Sequence, residues 1–293
     1  MMRRRFSIAL AICIGALLPS FCFATVGPTE IGGALTYGRS DGEFAAAVVM
    51  DATSHKILYA YRPDAPRSAA SLTKLMGALV FLDRRPAWNA VVAITKADEV
   101  GGGRLRVAYG STLTTLDLLY SSITASANNA ATAMARVSGL GMKGFMRAMN
   151  TKTASMGLKG TTFVDASGMD PDNITTAHDM ALIALKAYNA DPIRRSATTV
   201  QYGFRIRNTG QSKVIKNTND LLVAKEYDDL YVTGGKTGFL YESMYNLAVR
   251  LRPTSDRTAE RQLMVVVLGA PTRTSSFKSA NSLAQWAWAA YKW

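Results

Sequence analysis

The chain has 293 residues, of which 48% are hydrophobic and 19% are charged. This composition excludes disorder, collagen and coiled coil, and it supplies enough apolar side chains for one large core or two modest ones. The formal net charge of +13 favours anionic partners, such as cell-wall polymers or phospholipid head groups. No nucleic-acid partner is expected, because no run of Lys and Arg is interleaved with aromatic residues.

The first 24 residues have the pattern of a secretory signal peptide. Three arginines, Arg3–Arg5, precede an apolar run from Phe6 to Leu18, and Ala24 ends a segment suited to cleavage. The run falls short of the roughly 20 apolar residues of a membrane anchor. A lipoprotein is disfavoured because bulky residues precede both cysteines. We therefore predict cleavage after Ala24 and a periplasmic or secreted protein.

Cleavage at that point would leave 269 residues with 31 basic and 21 acidic side chains and no cysteine. Disulfides, thiolate metal sites and a cysteine nucleophile would then be excluded. The sequence has only two histidines, His55 and His178. A metal site with several histidine ligands is therefore implausible, and no metal or cofactor is expected.

Residues 25–44 are rich in Gly, Thr and Ser and are predicted to form a flexible lead-in to one domain spanning 45–293. Two strand-like runs, Ala45–Met50 and Lys56–Tyr61, predict a hairpin with His55 in its turn. From Ser71 to Asp83 the pattern becomes helical and almost wholly apolar, which predicts a helix inside the core.

The middle of the chain is predicted to be helical and the part after residue 200 to return to strands. Helices are expected at Thr115–Thr124, Asn129–Val137, Met142–Met156 and Ala177–Ala187, the last with Thr176 and Asp179 spaced as a capping box. Strands are expected at Gln201–Arg207, Leu230–Thr233, Tyr245–Leu251 and Gln262–Leu268. A final helix carries Trp286 and Trp288, which favour core packing but leave peripheral membrane contact open.

Strands at both ends with helices between them predict a mixed α/β (α+β) fold, in which one antiparallel sheet built from both chain ends is covered by a helical subdomain.

Three short motifs have spacing with chemical meaning. In Ser71-Leu72-Thr73-Lys74, positions i and i+3 share one helical face, so the Lys74 amine can approach the Ser71 hydroxyl. In Ser126-Ala127-Asn128, a hydroxyl and a carboxamide can face one cleft from a non-helical segment between two helices. The third motif, Lys236-Thr237-Gly238, lies beside a predicted strand. A phosphate-binding loop is excluded there, because Leu230 stands where that loop requires glycine.

Each motif alone is weak, but their order and separations of 55 and 110 residues are specific as a set. The sequence resembles the D-alanyl-D-alanine carboxypeptidase and endopeptidase family of low-molecular-mass penicillin-binding proteins. The resemblance runs from about Ala46 to Trp286 and includes Gly168 and the segment Thr176–Ala181. It implies the transpeptidase fold shared by penicillin-binding proteins and β-lactamases, with peptidoglycan as substrate and β-lactams as covalent inhibitors.

The resemblance also implies a role for each motif residue. Ser71 is expected to attack the D-Ala carbonyl, with neutral Lys74 as its base and the nearby Lys236 disfavouring the charge of Lys74. Ser126 is expected to pass a proton to the leaving amine. Substrate contacts are expected from the following positions: Asn128, Lys236, Thr237, Gly238 and Phe239. The oxyanion would be held by the backbone N–H groups of Ser71 and Phe239.

Other activities remain open beside this one. A class A β-lactamase is disfavoured because Glu226, the only glutamate between Ser126 and Lys236, is not in an E-x-x-L-N segment. An inactive murein-binding protein is disfavoured because no motif residue is lost. Within the family, carboxypeptidase members often carry N-R-N and His or Tyr after Lys-Thr-Gly, whereas this chain has Thr218 and Phe239 at those positions. These departures resemble endopeptidase-type members, for which we expect no free carboxylate at the cut, and release of terminal D-Ala is the alternative.

Overall fold

The computed structural model describes residues 27–31 and 42–293. The predicted signal peptide lies outside this range. The strands of the described residues are β1 Thr29–Glu30, β2 Ala46–Asp51, β3 Ile57–Tyr61, β4 Arg67–Ser68, β5 Val91–Ala93, β6 Thr112–Thr114, β7 Ile174–Thr175, β8 Gln201–Arg205, β9 Ser212–Lys216, β10 Leu230–Leu240, β11 Met244–Pro253, β12 Leu263–Ala270 and β13 Tyr291–Lys292.

Helices fill most of the segment between the two strand-rich ends. They are α1 Thr73–Asp83, α2 Thr115–Ile123, α3 Asn128–Val137, α4 Gly141–Ser155, α5 Ala177–Asn189, α6 Asp191–Thr198, α7 Asp220–Val223 and α8 Arg273–Ala290, with single 3₁₀ turns at Ala70–Leu72, Lys96–Asp98 and Lys225–Tyr227. The predicted core helix and the four predicted middle helices are confirmed within one or two residues at nearly every end. None of the helices in the described part of the chain is long and apolar enough to cross a bilayer.

The main sheet has five strands in the order β10-β11-β12-β2-β3, and every neighbouring pair is antiparallel. The predicted N-terminal hairpin supplies β2 and β3, and the C-terminal half supplies the other three strands. Val49 lies opposite Val265, which in turn lies opposite Val249. The predicted sheet assembled from both chain ends is therefore confirmed.

Alternation along these strands divides the apolar side chains between two cores, one on each face of the sheet. On one face, Val48 and Val266 pack with the helical middle, including α1 and α5. On the other face, Val49 and Val265 pack under α8, which contributes Phe277. The helical subdomain thus covers one face and the last helix covers the other.

Two strand predictions need correction. The predicted strand at 201–207 exists as β8, but it pairs with the unpredicted β9 in a separate hairpin rather than joining the main sheet. The strand predicted at 230–233 continues through a bulge between Val232 and Gly234 to Leu240. Its three glycines lowered the strand signal in the sequence, yet a side chain at Gly234 would meet the Tyr188 ring at 2.4 Å. The third motif therefore lies within β10 rather than beside it.

The predicted capping box at Thr176 is half correct. The Thr176 hydroxyl accepts a hydrogen bond from the Asp179 N–H and so caps α5. The Asp179 carboxylate does not return to the cap, because it accepts hydrogen bonds from Gly160 N and Thr161 Oγ1 instead. Asp179 therefore ties α5 to a distant turn, and the helix runs two residues further than predicted, to Asn189.

Specific contacts hold the first described segment and the C-terminal residues in place. In the segment predicted as a lead-in, Thr29–Glu30 pairs with Tyr291–Lys292. Trp288 donates its indole N–H to Arg261 O, and Trp293 donates to the Asp51 carboxylate, each at 2.9 Å. These tryptophan rings pack on the core under α8.

The two histidines are in the predicted places. His55 lies in the β2–β3 turn with a φ of 61°, and His178 lies in the first turn of α5 beside Asp64. The structure thus gives both histidines a local structural role.

The turn before α1 is locked by a close approach of two backbones. Ala70 has a φ of 48°, in the left-handed region that side chains disfavour. Gly168 lies against it with a φ of 81°, and a Cβ at Gly168 would be 1.9 Å from Ala70 O. Only glycine fits at this point, so the 165–170 loop and the turn carrying Ser71 form one rigid unit.

We expect Gly168→Ala to destabilise the protein by roughly 1–3 kcal/mol more than Gly210→Ala does, because both variants strain a positive φ but only the Cβ at position 168 meets backbone atoms. Gly210 is the matched control, because its φ is 71° and no atom lies within 4 Å of an added Cβ. Denaturant unfolding of both variants measures the difference. Equal losses would show that the loop can move away from Ala70 at little cost.

Candidate active site

Ser71 lies in the 3₁₀ turn that leads into α1, and Lys74 is the second residue of that helix. The Lys74 ammonium nitrogen is 2.8 Å from Ser71 Oγ. The structure therefore brings the hydroxyl and the amine together, as their spacing in the sequence predicts.

The Lys74 side chain is 1% exposed and has two further partners. Its Nζ donates to Asn128 Oδ1 at 2.7 Å and to Ser167 O at 2.5 Å. A neutral amine has two N–H donors and one lone pair. With both donors used by these acceptors, the lone pair is left facing the Ser71 hydroxyl, which is the arrangement a base requires.

Burial lowers the pKa of Lys74 to about 7, and the negative charge of Asp165 partly opposes this shift. Lys74 is therefore close to half neutral at neutral pH. We predicted burial and the charge of Lys236 as the two causes of this shift; burial is confirmed as the main cause, and Lys236 is not among the causes for Lys74. The repulsion between the two lysines acts on Lys236, whose pKa is lowered well below its usual value by burial and then by the charge of Lys74.

Lys236, on β10, connects the other two motifs. Its Nζ donates to Ser126 Oγ at 2.8 Å and to Thr237 O at 2.8 Å. Ser126 lies between α2 and α3 with a φ of 58°, a conformation that turns the segment sharply. A chain of hydrogen bonds beneath the cleft thus links the Ser126 hydroxyl, the Lys236 amine and the Thr237 carbonyl, although Ser126 and Lys236 are 110 residues apart in the sequence.

A cleft of about 540 Å³ opens above these groups. Six of the eight predicted site residues line it: Ser71, Ser126, Asn128, Thr237, Gly238 and Phe239. Lys74 and Lys236 lie buried below its floor. A Cβ at Gly238 would approach Ser71 N to 3.2 Å, so glycine keeps the space beside that N–H open. The Phe239 ring is exposed and packs on Tyr245, which gives the cleft an aromatic rim.

The carboxamide of Asn128 is shared between the base and the cleft wall. Its Oδ1 accepts from Lys74, and its Nδ2 donates to Gly101 O at 2.8 Å. The Asn128 backbone N–H donates to Gly103 O at 2.7 Å. The run Gly101–Gly103 was not singled out in the sequence, although three consecutive glycines are a signal of close backbone approach. An added Cβ at Gly102 would meet Asn128 Nδ2 at 2.8 Å.

Two further polar residues that the sequence did not identify hold the parts of the site in place. Asp165 accepts hydrogen bonds from the backbone N–H groups of Ser167 and Gly168 at 2.6 Å each. It thereby fixes the position of the Ser167 carbonyl, which accepts a hydrogen bond from Lys74. Asn246, buried in β11, donates to Ser68 O at 3.0 Å and accepts from Gly269 N at 2.9 Å. Asn246 is a polar residue within a largely apolar strand, and this interruption is the sequence signal by which it could have been found.

A cation lies where the sequence predicted none. Arg273, the first residue of α8, lines the cleft and donates from Nη2 to Thr218 O at 2.7 Å. Its guanidinium also pairs with Asp220 through two hydrogen bonds. The Thr218 hydroxyl is 2.6 Å from the Thr237 hydroxyl. The Arg273 guanidinium, which binds Thr218 O, therefore lies at the Thr237 end of the cleft. Neither Arg273 nor Asp220 belongs to a motif, and only the folded chain brings them together.

Residues 37–272 match the family described as D-alanyl-D-alanine carboxypeptidase. The chain belongs to this family. It is 31% identical over 243 residues to the D-alanyl-D-alanine endopeptidase of Pseudomonas aeruginosa, covering 82% of this chain and 76% of that one. It is 27% identical over 256 residues to a D-alanyl-D-alanine carboxypeptidase of Bacillus subtilis, covering 85% and 63%.

The fold is also that of solved relatives. A variant of the Streptomyces K15 DD-transpeptidase superimposes with a TM-score of 0.76 at 25% identity, covering 86% of this chain and all of that one. The expected family and penicillin-binding protein fold are therefore confirmed. The family and fold support a serine-type DD-peptidase of peptidoglycan rather than a class A β-lactamase.

The geometry around Lys74 predicts a pH dependence for acylation of Ser71 by a β-lactam. Protonated Lys74 has no lone pair, so the rate should rise as pH increases through about 7 and level off above it, following the lowered pKa. Stopped-flow acylation with a fluorescent penicillin between pH 5.5 and 9 measures this profile.

Lys74→Ala should fold and acylate at least ~10²-fold more slowly, the scale of a lost general base. The pH-dependent rise should disappear in that variant. An acylation rate in Lys74→Ala equal to that of the wild type would mean that another group is the base.

Proposed function

We propose that the chain is an exported serine DD-peptidase that cleaves D-alanyl cross-links of peptidoglycan in preference to terminal D-Ala. The reaction uses Ser71 as nucleophile, and the preference arises at the end of the cleft where Thr218 meets Thr237. Export is supported by the basic, apolar and cleavable character of the first 24 residues.

Acylation begins when Ser71 Oγ attacks the D-Ala carbonyl and Lys74 Nζ accepts the hydroxyl proton. The oxyanion is stabilised by the backbone N–H groups of Ser71 and Phe239. When the amide C–N bond breaks, the leaving amine takes the hydroxyl proton of Ser126, which Lys236 supports from below at 2.8 Å. The proton that Lys74 accepted from Ser71 then replaces it on Ser126, so that Lys74 is neutral again and Ser126 is again a hydroxyl. Water then hydrolyses the Ser71 ester, which releases the carboxylate product and restores the hydroxyl.

The substrate is expected to lie along the edge of β10, because this strand has no partner on its outer side in the five-stranded sheet. Thr237 and Phe239 point to the same side of the strand, two residues apart. Asn128 faces them across the cleft and would hold a backbone amide of the substrate. The stem peptide is thus bound between a strand edge and the start of α3.

The contact between Thr218 and Thr237 carries the choice of substrate. At this end of the cleft the substrate meets two hydroxyls 2.6 Å apart, and the nearby Arg273 charge is already paired with Asp220. A terminal D-Ala would bring a carboxylate that must lose water here without an unpaired cation. The acceptor side of a cross-link brings a longer chain instead, for which the small Thr218 side chain leaves room.

A fluorescent penicillin should label the mature protein covalently, and the label should survive denaturation. Ser71→Ala should abolish labelling because the acyl-enzyme cannot form. Gel fluorescence and peptide mapping measure both outcomes. Label retained by Ser71→Ala would contradict the assignment of the nucleophile, and a labelled protein that cleaves no muropeptide would support the murein-binding alternative.

The substrate preference is tested by giving the wild-type enzyme cross-linked dimer and monomeric pentapeptide and identifying products by mass. We expect faster cleavage of the dimer. Thr218→Arg should raise the ratio of carboxypeptidase to endopeptidase rate by about tenfold or more, the scale of one charge-assisted hydrogen bond. Thr218→Gln is the matched control, because it adds length without charge.

Turnover of pentapeptide by the wild type at a rate equal to or above that of the dimer would overturn the preference. It would leave the Ser71 mechanism intact. An equal shift in Thr218→Arg and Thr218→Gln would assign the effect to size instead of charge.

A further inference from the structure

The rim of the cleft beside Thr237 is formed by an ion pair between two elements that no motif includes. Arg273 begins α8, and Asp220 begins α7. The guanidinium binds the carboxylate through its Nε–Nη2 edge, with Nε 3.1 Å from Oδ2 and Nη2 2.7 Å from Oδ1. This two-point geometry is the one in which Arg recognises a carboxylate specifically.

The same guanidinium lines the cleft, so Asp220 occupies the carboxylate-binding edge of a cation that faces the substrate. Nη2 also donates to Thr218 O at 2.7 Å, which leaves that nitrogen with two acceptors. A ligand carboxylate arriving at Thr237 would have to compete with Asp220 for the Nε–Nη2 edge of the guanidinium. It would also be repelled by the negative charge of Asp220 at close range.

Both side chains of the pair are partly open to solvent, with 48% of Arg273 and 34% of Asp220 exposed. An ion pair of this kind contributes little to folding stability. Its effect on a charged ligand is larger in relative terms, because ligand binding expels water from the cleft and weakens the screening. A role in selecting the ligand is therefore better supported by this geometry than a role in stability.

We propose that Asp220 is a specificity-determining residue that pairs the charge of Arg273 and so disfavours ligands with a free carboxylate next to the scissile amide. The inference rests on the proposed function, since it assigns to one residue the substrate choice made at that end of the cleft. Asp220 acts through Arg273 and takes no part in proton transfer.

The test compares two ligands that differ only in that charge. One is an N-acetylated tripeptide ending in D-Ala-D-Ala with a free carboxylate, and the other is the same peptide as its C-terminal carboxamide. The ratio of kcat/KM for acid to that for amide is measured for wild type and Asp220→Asn. We expect the ratio to rise about tenfold in Asp220→Asn, mainly through a lower KM for the acid, because the contact exists in ground and transition states alike.

Four further measurements separate ligand selection from a merely structural effect. The gain in Asp220→Asn should shrink at high ionic strength, and Asp220→Glu should return the ratio to the wild-type value. Adding Arg273→Gln to Asp220→Asn should remove the gain, which makes a double-mutant cycle for the pair. Thermal unfolding should shift little in Asp220→Asn, as expected for an exposed pair.

An unchanged acid-to-amide ratio in Asp220→Asn would overturn the inference. A lower ratio would also overturn it, since Asp220 would then be orienting Arg273 to bind the carboxylate. If neither peptide is hydrolysed measurably, the same ratio is obtained from their competition with a β-lactam for Ser71. The proposed preference for cross-links is tested by a separate measurement, the turnover of dimer and pentapeptide by the wild type. Failure of that preference can therefore be distinguished from failure of the role of Asp220.

Discussion

The site depends on two lysine side chains, Lys74 and Lys236, that are held together below the cleft and almost completely removed from water. Burial lowers the pKa of both amines, and the charge of Lys74 lowers that of Lys236 further, so loss of a proton is favoured in this place. This removal of charge turns Lys74 into a base near neutral pH. It also costs stability, because the unfolded chain binds the Lys74 proton up to its ordinary pKa of 10.5. The stability lost in this way is recovered as pH rises from about 7 towards that value.

The fold recovers part of this cost by giving each buried amine polar partners from several elements. Lys74 is held by Asn128 and by the carbonyl of Ser167, and Lys236 by Ser126 and its own strand. Asn128, Ser126 and the Ser167 carbonyl come from the helical subdomain, while Lys236 comes from the edge of the sheet. The cleft therefore lies where the two parts of the fold meet, and neither part alone contains a complete site. The main sheet combines strands from both halves of the described chain, and this pairing holds the two parts of the fold at a fixed separation.

Local pattern was enough to predict the residues whose chemistry is set by spacing. The face shared by Ser71 and Lys74 follows from helix periodicity, and four of the five strands of the main sheet follow from apolar runs. The fifth, β10, was predicted only as far as Thr233. The ion pair of Asp220 and Arg273 could not be predicted in this way, because 53 residues separate the partners and neither lies in a motif. Asp179 shows the same limit at shorter range. Its spacing from Thr176 fits a capping box, but its carboxylate accepts hydrogen bonds from Gly160 and Thr161 instead.

Asn128 shows how the site can bind a substrate without disturbing its base. A carboxamide has two N–H donors and an oxygen with two lone pairs. Its oxygen accepts from Lys74, and one N–H donates to Gly101 O, which fixes the plane of the group. The second N–H of Nδ2 remains for a substrate carbonyl in the cleft that Asn128 lines. Substrate binding therefore adds a hydrogen bond and does not replace one, so the lone pair of Lys74 can stay directed at Ser71 until it accepts the hydroxyl proton.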